Sequence, residues 1–121
     1  MTEQRKNKRR EFGYYMRVLD DKSHEVVGYL SDISSDGFKL DCQKELPIDT
    51  DFRLRMDLTA EVANKTTMAF TARSKWRQRD QLEPTVFNVG FEIVKIAPED
   101  ARIFKLIMEK YGAKEKSQDL F

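Results

Sequence analysis

The feature that most constrains the fold is a repeated alternation of apolar and polar residues in short runs separated by turn signals. The clearest run is Phe52–Leu58, in which four apolar residues alternate with three charged ones. Such a period of two indicates a strand with one buried face. About six runs of this kind are present: Phe12–Leu19, Glu25–Ser31, Phe38–Cys42, Phe52–Leu58, Thr67–Arg77 and Val86–Val94. Because no helical pattern lies between them, they predict an all-β, six-stranded antiparallel barrel.

The period changes after the last run and indicates one C-terminal α-helix. Pro98 followed by two acidic residues favours a helix start, and Gly112 favours its end. Its apolar stripe is expected to consist of Ile103, Phe104, Leu106, Ile107, Met108 and Tyr111. We expect this stripe to cover an open end or face of the barrel, and a dimer or partner interface is the alternative.

Length and composition restrict the class of protein. A chain of 121 residues with 36% charged residues fits one soluble globular domain. Its net charge of +1 argues against a strongly basic protein that coats nucleic acid. The sequence contains no long apolar segment, so we expect no membrane span and a cytoplasmic location. The single cysteine, Cys42, is expected to be a buried thiol, and no metal-binding or catalytic pattern stands out, so we expect no metal, no cofactor and no enzyme.

The turn between the second and third runs is unusually polar. Asp32, Ser34 and Gly37 follow the pattern D-x-S-x-x-G. Asp32 and Ser34 are two residues apart and point the same way on an extended backbone, while Gly37 permits the positive φ of a sharp reversal. Taken alone, these residues are typical of a turn whose side chains bond only to their own backbone.

The N-terminal residues 1–11 are predicted to form a flexible basic arm. Arg5, Lys6, Lys8, Arg9 and Arg10 place five cations in six positions. Composition alone favours a solvated basic tail or a non-specific nucleic-acid contact. The arginines, however, can grip phosphate groups or the acceptor edge of guanine with two bonds each.

Together, R-x-x-x-R at Arg5 and Arg9 and D-x-S-x-x-G at Asp32, Ser34 and Gly37 resemble the two-part signature of PilZ domains. The resemblance implies a small β-barrel that binds the bacterial second messenger cyclic di-GMP. It implies that Arg5 and Arg9 contact guanine and phosphate acceptors, that Asp32 and Ser34 face the guanine donor edge, and that Gly37 lets the backbone approach closely. Arg10, which is adjacent to the motif, would add a phosphate or stacking contact.

Composition and the resemblance together predict a flexible basic arm at 1–11, a PilZ-like barrel with its helix at 12–112 and a polar tail at 113–121. We expect a receptor that passes the signal to a partner protein in a signalling, motility or exopolysaccharide pathway, as a monomer or a dimer. Two alternatives remain: a small barrel that binds single-stranded nucleic acid, which the charge balance makes less favourable, and a PilZ-like protein-interaction module without nucleotide binding. Trp76 is expected in the core, with a stacking surface near the site as the alternative.

Overall fold

The computed structural model describes residues 16–111 and contains six antiparallel strands and one helix in this part of the chain. The strands close into a barrel in the order β1-β2-β3-β6-β5-β4. Their bounds are Arg17–Asp20 (β1), Val26–Ile33 (β2), Gly37–Cys42 (β3), Asp51–Asp57 (β4), Thr67–Arg79 (β5) and Phe87–Lys95 (β6), and the helix α1 spans Pro98–Tyr111. The predicted fold, an all-β barrel closed by one C-terminal helix, is confirmed.

Two strand boundaries differ from the sequence prediction in ways that affect the site. β1 begins at Arg17, and residues 12–15 of the predicted first strand lie outside the described part. β2 continues to Ile33, two residues beyond the predicted end at Ser31. Asp32 is therefore part of a strand and not of the turn.

The barrel core is built around phenylalanine rings from different strands. Phe38 on β3 stacks on Phe91 on β6, with ring centroids 5.2 Å apart and an interplanar angle of 12°. The Phe70 ring on β5 packs edge-on against the Phe38 ring, with centroids 5.6 Å apart. All three side chains are fully buried, so the interior is filled by side chains.

Cys42 lies inside this core and is fully buried, as predicted. Burial raises the pKa of its thiol to about 12, and the neighbouring Asp41 carboxylate adds to the shift. Because only the thiolate is a good nucleophile, this cysteine is chemically quiet.

The helix packs against the barrel through part of the predicted stripe. Phe104 and Ile107 are buried, and the Phe104 ring meets Phe38 at 6.3 Å. Leu106 was wrongly assigned to the stripe and is 46% exposed. It lies two residues from Phe104, which at 3.6 residues per turn is about 200° around the helix. The helix start is held to the β4–β5 connection by Lys65, whose Nζ donates to Asp100 Oδ1 at 2.6 Å.

No helix among residues 16–111 combines the length and the apolar character needed to cross a membrane.

Candidate functional site

The predicted motif turn joins β2 to β3 and uses its polar groups locally. The Ser34 backbone N–H donates to the Gly37 carbonyl at 2.8 Å, and the Ser34 hydroxyl reaches the same oxygen at 3.5 Å. Asp32 Oδ1 accepts from the Ile33 backbone N–H at 2.8 Å. These contacts agree with a turn whose side chains bond to the local backbone. The Ser34 hydroxyl, which is a donor in its contact with Gly37, can also accept a hydrogen bond.

A β-bulge at Ser31 turns the motif aspartate to the outside of the barrel. On β3, Leu40 pairs with Leu30 and the next residue, Lys39, pairs with Asp32, so Ser31 is an inserted residue. Leu30 is fully buried in the core, and regular alternation would point Asp32 the same way. The inserted residue reverses the alternation, and Asp32 shares the outer face with Lys39.

Asp32 and Ser34 are nevertheless only 8% and 6% exposed. The loop between Ser34 and Gly37 lies against the last strand, because the Asp36 carbonyl accepts from the Ile93 N–H at 3.0 Å and Gly37 pairs with Glu92. The predicted set Asp32, Ser34 and Gly37 is therefore brought together beside β6, and all three residues are largely buried.

A second bulge places Trp76 on the same outer face. Ser74 pairs with the buried Phe91, and Trp76 pairs with the next residue of β6, Gly90, so Lys75 is inserted. A Cβ built on Gly90 would lie 2.2 Å from two atoms of the Trp76 ring, which shows that the indole lies directly over this glycine. Trp76 is half-buried and is not part of the core cluster, so the predicted core location is wrong.

The pairing registers place these residues in one row across the barrel. Asp32 on β2 is opposite Lys39 on β3, Lys39 is opposite Gly90 on β6, and Gly90 is opposite Trp76 on β5. Neighbouring strands are about 4.8 Å apart, so the indole over Gly90 is roughly 10 Å from the Asp32 strand. This gap is lined by Lys39 and has no side chain at Gly90.

The adjacent row carries a buried polar pair that the sequence analysis did not identify. Asn88 Nδ2 donates to Asp41 Oδ1 at 3.0 Å, and both side chains are less than a tenth exposed although they alternate with core residues. The sequence does show a polar residue in each of the two strands, Asp41 in β3 and Asn88 in β6. That these two residues are opposite each other follows only from the strand register in the structure.

The predicted cationic residues Arg5, Arg9 and Arg10 lie outside the described residues, so the structure does not test their placement. Within residues 16–111, no group of three or more His, Cys, Asp or Glu side chains is arranged to hold a metal ion.

The sequence model of the PilZ domain matches residues 3–109. The chain belongs to the PilZ domain family. The match includes both motif halves, Arg5 and Arg9 as well as Asp32, Ser34 and Gly37. Cyclic di-GMP is the ligand associated with this family, whose members are binding and adaptor domains, and no catalytic family is indicated for the chain.

Among solved structures, the barrel is similar to the inhibitor of motility MotI/DgrA of Bacillus subtilis, with a TM-score of 0.62 and 13% sequence identity. The alignment covers 79% of this chain and 46% of that one, so the PilZ chain spans less than half of this neighbour. At this identity the likeness concerns the fold. No curated protein sequence matches the chain.

Proposed function

We propose that this PilZ domain is a cyclic di-GMP receptor that passes ligand binding on to a partner protein. The observation that carries the proposal is the outward position of Asp32, in one row with Lys39, Gly90 and Trp76. The ligand offers two phosphodiester anions and two guanine bases. The row offers a carboxylate at one end and an indole toward the other, with Lys39 and Gly90 between them.

Each part of the ligand has a matching group. A guanine donor edge, N1–H and N2–H₂, is chemically complementary to the carboxylate of Asp32 and the hydroxyl of Ser34. A guanine ring fits the indole of Trp76, since base–aromatic stacking contributes about 1–3 kcal/mol. Arg5 and Arg9 supply charge-assisted bonds to phosphates or to guanine O6 and N7, each about 1.5–3 kcal/mol, and Arg10 adds a further cation.

Calorimetry tests this proposal directly. We expect micromolar or tighter binding of cyclic di-GMP and at least tenfold weaker binding of GTP and of the linear dinucleotide pGpG. A tenfold difference in affinity corresponds to about 1.4 kcal/mol of binding free energy. Equal affinity for all three ligands would contradict the proposal. Oligonucleotides of increasing length provide the control for a nucleic-acid-binding barrel, which predicts affinity that rises with length and falls steeply with salt.

The energetics limit how much of residues 4–10 is ordered by the ligand. Ordering seven residues costs about 1–2 kcal/mol each, or roughly 10 kcal/mol. A micromolar complex is stable by about 8 kcal/mol, so the gross interaction would have to reach about 18 kcal/mol. Four charge-assisted bonds and two stacked bases do not reach this value at their mean strengths. We therefore propose that only the residues flanking Arg5 and Arg9 become ordered on binding.

Hydrogen exchange measures this ordering. Within residues 4–12, the amides next to Arg5 and Arg9 are expected to gain protection when cyclic di-GMP is added. The amides of residues 31–38 should gain protection as well, while the α1 amides change little. Full exchange of residues 4–12 at saturating ligand would exclude the arm as the element that responds.

A further inference from the structure

An apolar cavity lies beside the motif loop, at the junction of the loop, the end of β6 and α1. It has a volume of about 260 Å³ and is lined by Ser35, Ile93, Ile96, Ala101, Phe104, Lys105 and Met108. An apolar cavity of roughly 150 Å³ can hold a benzene ring, so this space is large enough for a bulky side chain.

The lining has one charged side chain, Lys105, and it is exposed. Among residues 16–111, no hydrogen bond or ion pair engages its ammonium group, in contrast to Lys65 and Lys75, which pair with Asp100 and Glu92. Glu109, one helical turn further on, does not pair with Lys105. An apolar cavity with an unpaired cation at its edge is complementary to an apolar side chain next to a carboxylate.

The cavity shares a wall with the proposed nucleotide site. Ser35 lines the cavity and is the residue after Ser34 of the motif. The next residue, Asp36, is bonded through its carbonyl to the N–H of Ile93, which lines the cavity from the other side. Any movement of the loop would therefore change the cavity at two of its walls.

We propose that this cavity is the anchor site for the partner protein. It takes a bulky apolar side chain of the partner, with an adjacent partner carboxylate on Lys105, and nucleotide binding changes its affinity through the Ser34–Gly37 loop. This inference rests on the proposed function for its link to the nucleotide. In protein interfaces a few buried anchor residues commonly carry most of the binding energy.

Short peptides serve as probes of the anchor. N-acetyl-Leu-Glu amide, its Gln analogue and its Lys analogue share the apolar group and differ in charge. With methyl-labelled protein, the Glu peptide is expected to shift the methyl signals of Ile93, Ile96 and Met108, and to leave Ile48, which is 43% exposed and not in the cavity lining, unchanged. The Glu peptide should bind about twofold to fivefold more tightly than the Gln peptide, the value of an exposed ion pair.

Two variants and a matched control identify the site. Lys105→Glu should reverse the preference so that the Lys peptide binds best, whereas Lys44→Glu makes the same charge change at an exposed site beyond the other end of β3 and should alter nothing. Ala101→Leu keeps a strong helix former, adds an isobutyl group to the cavity lining and should reduce the methyl shifts. Circular dichroism and the unshifted core methyl signals establish that each variant is folded.

The same titrations with cyclic di-GMP present test the link. The peptide affinity should change, and the nucleotide affinity should change by the same factor when peptide is saturating, because coupling is reciprocal. Equal shifts from all three peptides, or none at solubility, would overturn the anchor site. Selective peptide binding that the bound nucleotide leaves unchanged would overturn the link. A failure of nucleotide binding in calorimetry would contradict the proposed function and leave the peptide result on the anchor site standing.

Discussion

Substituting Gly90 by alanine tests whether Trp76 is held over the outer face as the structure shows. The added Cβ would lie 2.2 Å from Cε2 and Nε1 of the indole and 2.7 Å from Cζ2. Ordinary carbon contacts are about 3.5–4.0 Å, so the ring has to move by roughly 1.5 Å. Overpacking costs about 1–3 kcal/mol, and we expect the lower half of this range because Trp76 is half-buried and can move toward solvent.

The same displacement should weaken nucleotide binding. If one guanine stacks on the indole, losing a contact of about 1–3 kcal/mol lowers the affinity roughly fivefold to 150-fold. Because Trp76 is the only tryptophan, its emission spectrum reports the displacement without interference. Denaturant unfolding gives the change in stability, and calorimetry with cyclic di-GMP gives the change in affinity.

Gly28→Ala is the matched control. Its Cβ would approach the Asp41 carbonyl and the Cys42 sulfur, both at 2.8 Å, and not the indole. This variant should lose stability while its Trp76 emission and the nucleotide affinity of the folded protein stay unchanged. In a Trp76→Ala background, Gly90→Ala should become neutral or stabilising by up to about 1 kcal/mol, because only the gain from restricting the unfolded chain remains. An unchanged emission spectrum, or the same cost in both backgrounds, would refute the contact.

Further variants separate binding from folding. Asp32→Asn keeps an acceptor oxygen but removes the charge, so affinity should fall about tenfold or more while the unfolding free energy changes little; calorimetry and denaturation check both. Phe91→Ala should cost about 3–5 kcal/mol of stability in the same denaturation assay. Cys42 should resist thiol reagents at pH 8 until the protein unfolds, as measured by labelling along a urea series. Arg9→Ala should weaken cyclic di-GMP binding more than Lys8→Ala, whose effect should disappear at high salt.

The sequence predicted the elements well because their patterns are local. The alternation in Phe52–Leu58 and the helix signals around Pro98 depend on neighbouring residues alone, and both elements are present. Leu106 was assigned to the buried stripe because it is apolar, without regard to its angular position on the helix, and it is exposed. Its position opposite Phe104 follows from the 3.6-residue period, which an unphased count of apolar residues ignores.

The outward positions of Asp32 and Trp76 depend on two β-bulges, which cannot be located from the sequence alone. Strand alternation from the buried residues Leu30 and Ser74 assigns both side chains to the interior, and a tryptophan in a core position is an ordinary expectation. Whether a strand contains an inserted residue is decided by its pairing with the neighbouring strand, which involves distant parts of the chain.

The two bulges have the same consequence for the candidate site. Ser31 is inserted between Leu30 and Asp32, and Lys75 is inserted between Ser74 and Trp76. In each strand, the extra residue turns the side chain two positions after a core residue to the outer face. The packing of Phe38, Phe70 and Phe91 inside the barrel is not interrupted. Because Asp32 and Trp76 then lie in one row across β3 and β6, the barrel presents an acceptor and an aromatic ring at a fixed separation. The fold fixes this separation through hydrogen-bonded strand registers, so a ligand that uses both groups does not have to order them.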